Sequence, residues 1–216
     1  MKKTILLFSL LSSLYSQAQF NTANMSAAVS GNYMSFFKQK INIVGAKVDL
    51  GYQFSEKVVG VLSFTYSAPL KEVSSFSSFS GSTPYTIPTE NVTKISTISL
   101  GAQYSILANT EGLSVYVPVG ASFIMGSFFE KSTGNSTPAG FSLPAGASDK
   151  ERFSSFMMYG GIGAIYPIGP VKLFADAAIA IPANQVNGAV VDVNIDSHLL
   201  FNVGVRIPFG VPDSDD

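Results

Sequence analysis

The sequence predicts an all-β protein, an eight-stranded antiparallel up-and-down transmembrane β-barrel, and three observations predict it. Segments that alternate apolar with small or polar residues recur eight times between positions 25 and 209. Charged residues make up 12% of the chain against about 25% in soluble domains, too few to cover the surface of a soluble fold. The connections alternate between short and long, as in barrels with tight turns at one end and loops at the other.

The clearest segment is 44–54. Val44, Ala46, Val48, Leu50, Tyr52 and Phe54 share one parity, and Gly45, Lys47, Asp49, Gly51 and Gln53 the other. Successive strand side chains point to opposite faces, so one face is wholly apolar and the other small or polar. The segment is long enough for a tilted strand to cross a bilayer, which takes about 9–11 residues. Its apolar face ends in two aromatics, as lipid-facing strands do at headgroup level.

Residues 1–18 read as a secretory leader. Lys2 and Lys3 precede a short apolar run at 5–14, and Ser16 and Ala18 are the small residues of a cleavage site. Cleavage is expected after Ala18, with Gln19 as the mature N-terminus. The run is too short for an anchor helix, which takes about 20 apolar residues, and no later segment reaches that length. The domain plan is signal peptide 1–18, barrel 19–209 and a short acidic tail 210–216. With no cysteine, disulfides, thiolate metal sites and cysteine nucleophiles are excluded. A formal net charge of −1 leaves no footprint for nucleic acid.

The first strand spans 25–37, with Met25, Ala27, Val29 and Tyr33 alternating with Ser26, Ser30 and Asn32. The second is 44–54, and 55–57 is a tight turn. The third, 58–68, sets Leu62, Phe64 and Tyr66 against Ser63, Thr65 and Ser67. Residues 69–92 read as a long break, because they are rich in serine and carry Pro84 and Pro88, and proline removes a ladder donor. The fourth strand is 95–106. After a turn at 108–112 comes the fifth, 113–128, where Pro118 reads as a bulge. A second long break covers 130–152. The sixth strand is 156–168, the seventh 171–181, and a medium loop at 182–197 leads to the eighth, 199–209. Tyr52, Phe54, Tyr104, Tyr166 and Phe209 then fall at one end of the barrel, and Tyr33, Tyr66 and Phe123 toward the other, as two girdles. A soluble β-sandwich would also alternate, but its solvated face would carry many Lys and Glu; here that face is Gly, Ser, Ala, Asn and Gln.

An eight-stranded barrel is only wide enough to be filled by its own side chains. The inward parity holds Lys47, Asp49, Gln53, Gln103, Lys172, Asp176, Asn202 and Arg206. Charges in so dry a lumen should pair, for instance Asp176 with Arg206 on neighbouring strands, giving a network that stiffens the barrel rather than a conducting path. His198 is the only histidine. Ser197 and Asp196 precede it, but adjacent strand residues point to opposite faces, and no catalytic or metal-ligand spacing surrounds it. Neither catalysis nor a cofactor or metal is expected. In the long breaks, Phe76, Phe79, Tyr85 and Phe141 stand in Ser, Gly and Pro context. They are either anchors for a partner or aromatics packed on the loops themselves.

The leader, the eight dyad repeats and the last strand ending in Phe209 together make the mature chain resemble the small outer-membrane β-barrel proteins, OmpX-like proteins and the transmembrane domain of OmpA. That resemblance implies an outer-membrane, porin-like barrel in the Gram-negative cell envelope, surrounded by outer-membrane lipid. It also implies insertion by the outer-membrane assembly machinery, which reads the last strand. Family members commonly end on the aromatic, whereas 210–216 follow Phe209 here. A periplasmic domain of the OmpA kind is not expected. The termini are expected in the periplasm, and the role is structural or interactive through the outer loops. Two alternatives stand beside it: an accessory subunit of a larger outer-membrane complex, or a narrow channel for ions or small solutes.

Overall fold

The computed structural model describes residues 22–38, 40–109, 112–145, 150–184 and 196–209. The leader, the acidic tail, the predicted cleavage site and 185–195 of the medium loop lie outside the described residues. After a 3-10 turn at Thr22–Asn24, nine strands follow in order: β1 (Met25–Phe36), β2 (Ile41–Ser55), β3 (Val58–Ser67), β4 (Leu70–Ser80), β5 (Thr83–Leu107), β6 (Ser114–Ser132), β7 (Glu151–Ile168), β8 (Val171–Asn184) and β9 (His198–Pro208). All pair antiparallel in the spatial order β3-β2-β1-β9-β8-β7-β6-β5-β4, and β3 also pairs with β5. That last pairing joins Val58–Tyr66 to Ser96–Tyr104 and closes a ring of eight strands, with β4 as the ninth outside it.

The short connections after β2, β5 and β7 lie at the end of the barrel where β1 begins and β9 stops, the terminal end, opposite the far end. Parity holds along the staves apart from register shifts at 53–55 on β2, 105–107 on β5 and 182–184 on β8. Val29, Leu100, Ile162 and Val203 are exposed on the outside, while Ser30, Asp49, Ser63, Gln103 and Asn202 are buried inside. At the terminal end Phe54, Tyr104, Tyr166 and Phe209 stand outward, and Tyr52 meets Phe54 edge-on at 5.0 Å.

The first long break is a hairpin. Leu70–Ser80 pairs residue by residue with the outer part of β5, Thr83–Thr93, and so extends the barrel wall past its far end. The prolines do not break it, because the N–H each lacks would point away from β4. The backbones of Thr86 and Pro88 face 133–137 instead: Thr86 exchanges hydrogen bonds with Thr137, and the Pro88 carbonyl accepts from Thr133. Pro118 is a gap rather than a bulge. The ladder to β7 lapses beside it, but Tyr116↔Gly163 and Val119↔Gly160 keep one register, so no extra residue is inserted.

A charge triad crosses this arm. Lys71 on β4 and Lys131 on β6 reach Glu90 on β5 at 3.2 and 2.9 Å. Their hydrogen bonds, Lys131 first, hold the Glu90 carboxyl below the usual glutamate range. A carboxyl lowered in the fold stabilises it above the unfolded value and loses that effect as pH falls through the folded one. Hydrogen-exchange protection of β4 is therefore expected to weaken below the ordinary glutamate value of about 4.3. Glu90→Gln should weaken it already at neutral pH and abolish the acid step. Equal protection factors in both proteins at both pH values would refute this anchoring.

Candidate functional site

The inward side chains form three levels. At the terminal end a vestibule of about 220 Å³ is bordered by Gln53, Gln103, Tyr116, Lys172 and Arg206. Gln53 and Lys172 lie at its mouth and are exposed, so these two predicted interior residues stand at the rim of the network rather than within it.

The middle level is polar and tightly bonded. Arg206 Nη1 donates to Gln103 Oε1 at 2.7 Å, and its guanidinium lies over the Phe174 ring at 5.5 Å. Tyr116 donates to one Asp176 oxygen at 3.0 Å and Asn202 Nδ2 to the other at 2.6 Å, while Asn32 Nδ2 donates to Asn202 Oδ1 at 2.7 Å. Lys47 pairs with Asp49 at 3.3 Å along one face of β2. The expected Asp176–Arg206 pair does not form. The β8–β9 register sets Asp176 opposite Asn202 and Arg206 opposite Lys172, and residues 202 and 206 are about 13 Å apart along the strand. Tyr116 and Asn32 also belong to this network; sequence reasoning misses them as members, although both hold the inward parity of their strands.

Glycine makes room for the aromatic at this level. A Cβ on Gly163 would collide with the Tyr116 ring, so Tyr116 lies flat against β7 only because that position has no side chain.

The far level is apolar. Met34, Phe36, Ile43, Ile95, Ile124, Met157 and Ala180 pack as one cluster, with Met34, Ile124 and Met157 at most 1% exposed. His198 is buried in it, its ring 4.5 Å from that of Phe36 and its Nδ1 3.2 Å from the Asp196 carbonyl. This is the setting of a packed core histidine, away from Ser197. A cavity of about 50 Å³ separates the polar and apolar levels, bordered by Asn32, Lys47, Thr65, Thr97 and Asn202.

Above the far end the loop aromatics separate. Tyr85 stacks on Phe141 at 4.4 Å with rings 2° from parallel, and Phe76 lies 6.5 Å from Tyr85. They pack the arm against the β6–β7 loop, where Ile87 and Thr89 are buried. Phe79 alone of the four projects freely, at 72% exposure. Of the two readings open for these residues, internal packing fits three and an exposed anchor fits only Phe79.

Asp176 is the hub of the polar level. Asp176→Ala is expected to cost on the order of 3 kcal/mol, since each buried partner left unmet costs about 1–3. Urea unfolding of the reconstituted barrel measures it, and a loss under about 1 kcal/mol, roughly that of a surface change, would deny the hub its role.

No family model matches the chain, and no curated protein matches it in sequence. Among solved structures, a major outer membrane protein from Thermus thermophilus is similar at a TM-score of 0.58 and 10% identity, over 85% of this chain and 98% of that one. Neisserial surface protein A (NspA) is similar at a TM-score of 0.53 and 13% identity, over 85% of this chain and 95% of that one. Such identities speak for architecture alone, and the architecture this chain shares is that of the small outer-membrane β-barrels.

Proposed function

We propose that this chain is an integral outer-membrane protein, a closed barrel that carries the far-end arm and loops as an interaction platform and performs no catalysis. One observation carries the reading: apolar side chains cover the outside of the barrel. Val44, Leu100, Met158, Ile162 and Val203 are 59, 68, 59, 58 and 68% exposed, on four different staves. Water-soluble monomers rarely bear apolar patches beyond a few hundred Å², so such a belt belongs in lipid. Short turns, the start of β1 and the end of β9 at one end favour placing that end in the periplasm and the arm outside. Insertion would then fall to the outer-membrane assembly machinery. The accessory-subunit reading uses the same belt with a protein neighbour in place of lipid.

The apolar level speaks against a channel. An ion passing Met34, Ile124 and Met157 would have to shed its water among hydrocarbon, at a cost of many kcal/mol. The network below therefore acts as a rigid filling, and what the barrel presents to its surroundings is the arm.

Unheated protein in SDS is expected to migrate at a different apparent mass from boiled protein, and native protein to fractionate with outer membranes. Identical migration together with soluble export would sink the barrel reading. Sizing in mild detergent separates a lone barrel from a subunit of a stoichiometric complex. In planar bilayers the wild type should leave conductance at baseline, whereas Ile124→Gly with Met157→Gly should admit ions. A conducting wild type would restore the channel.

A further inference from the structure

Strand parity continues unbroken from the barrel wall into its extension and sorts the charges there by face. Glu72 and Glu130 both stand opposite Asn91, on the parity that continues the lumen side. The outward parity carries Lys71, Lys94, Lys131 and Arg152, with Glu90 as its only acid among the described residues. Glu90 is held between Lys71 and Lys131, so two positive charges face one negative. Lys94 and Arg152 have no ion pair among the described residues, and both are exposed.

Their placement is specific. Lys94 on β5 stands directly opposite Ser127 on β6, and Ser127 directly opposite Arg152 on β7. The row runs across three adjacent staves near the far-end margin of the apolar belt, with Val92 and Phe129 paired one pleat beyond it. Below it β5 passes through Ser96 to Ile98, β7 through Ser154 to Phe156, and β6 at once to Met125, with Ile98, Phe156 and Met125 all exposed. Two cations and a hydroxyl donor about 5 Å apart from strand to strand match a phosphate, and a guanidinium offers it two parallel donors.

We propose that the Lys94–Ser127–Arg152 row seats the phosphate of a lipid headgroup, whose acyl chains lie along the apolar belt beneath it. This rests on the membrane placement proposed above. The apolar surface that begins at Ile98, Met125 and Phe156 below the row selects a lipid over a free anion, since a soluble phosphate would gain nothing from it on an open, convex wall. Lys71 and Lys131, one to two turns of the pleat farther out, extend the attraction toward the headgroup surface.

The test reconstitutes the full chain in phosphatidylcholine nanodiscs and compares the immobilised fractions of spin-labelled phosphatidic acid and spin-labelled phosphatidylcholine. Wild type should select phosphatidic acid. Lys94→Gln with Arg152→Gln should lose about fivefold of that selection for each base removed, the scale for a basic side chain at an anionic surface. Lys94→Arg with Arg152→Lys should keep most of it. Equal selection by wild type and the double glutamine variant overturns the inference, as does selection abolished by millimolar inorganic phosphate at constant ionic strength, which would mark a free-anion site. Heat-modifiable, inserted protein without selection sinks this inference alone, whereas failure to enter the discs sinks the membrane placement with it.

Discussion

A backbone surrounded by hydrocarbon has no water to bond its N–H and C=O groups, so a sheet there survives only if it has no edge. In the membrane placement proposed above that requirement falls on two junctions: β1 with β9, which joins the first strand to the last, and β3 with β5, which passes over β4. Once the ring is closed, strand geometry leaves little freedom. Each side chain faces either out or into a lumen that eight staves make narrow. Aliphatics such as Leu100 and Val203 take the outside, as the lipid surroundings proposed above would require. Glycine and short polar residues take the inside because little else fits.

The lumen then faces a conflict of its own. Asp49, Asp176, Lys47 and Arg206 bring charge into a narrow lumen, where an unpaired buried charge is costly. Local bonding rather than one central ion pair meets most of this conflict, while Asp49 Oδ2 and Arg206 Nη2 stay without a hydrogen-bond partner among the described residues. Lys47 meets Asp49 on its own strand, Asp176 takes two neutral donors, and Arg206 turns to Gln103 and the Phe174 face. Concentrating these groups toward the terminal end frees the far level to be apolar, and its packing does for the barrel what a core does for a soluble domain.

Much of this is legible from parity alone. Residues 44–54 declare both faces of a stave, and the short connections place the chain ends together. What parity cannot supply is which side of a strand a backbone N–H faces and which residue stands across from which. Pro84 and Pro88 read as breakers because the sequence does not say that their missing donors point away from β4. Asp176 and Arg206 read as partners because both point inward on neighbouring strands, but the β8–β9 register sets them apart. The apolar level is hidden for a related reason. Met34, Phe36 and Ile43 sit near the far ends of their strands, and only the pairing shows that they meet Ile95, Ile124 and Met157 at one height. Phe76, Tyr85 and Phe141 are separated in sequence, and the hairpin that brings them together is itself the element that reads as a break.

The arm shows how far a single alternation can carry information. Inside the barrel, period two separates outward-facing apolar residues from lumen-facing small and polar ones. Above the belt both faces of β4 and β5 could be solvated. The parity is kept all the same. Ile87 and Thr89 remain on the side that packs against the β6–β7 loop, and the acids Glu72 and Glu130 share it, whereas the bases turn outward together with one acid, Glu90, which Lys71 and Lys131 hold between them. A sheet extension needed only for reach would have no reason to divide acid from base in this way. The headgroup contact proposed above would supply one, because an unpaired carboxylate there would be repelled and a lysine or arginine stem can lie along an apolar surface with its charge at the boundary. Under that proposal the division of charge between the two faces continues the barrel's own rule, with the headgroup layer taking the place of the acyl chains.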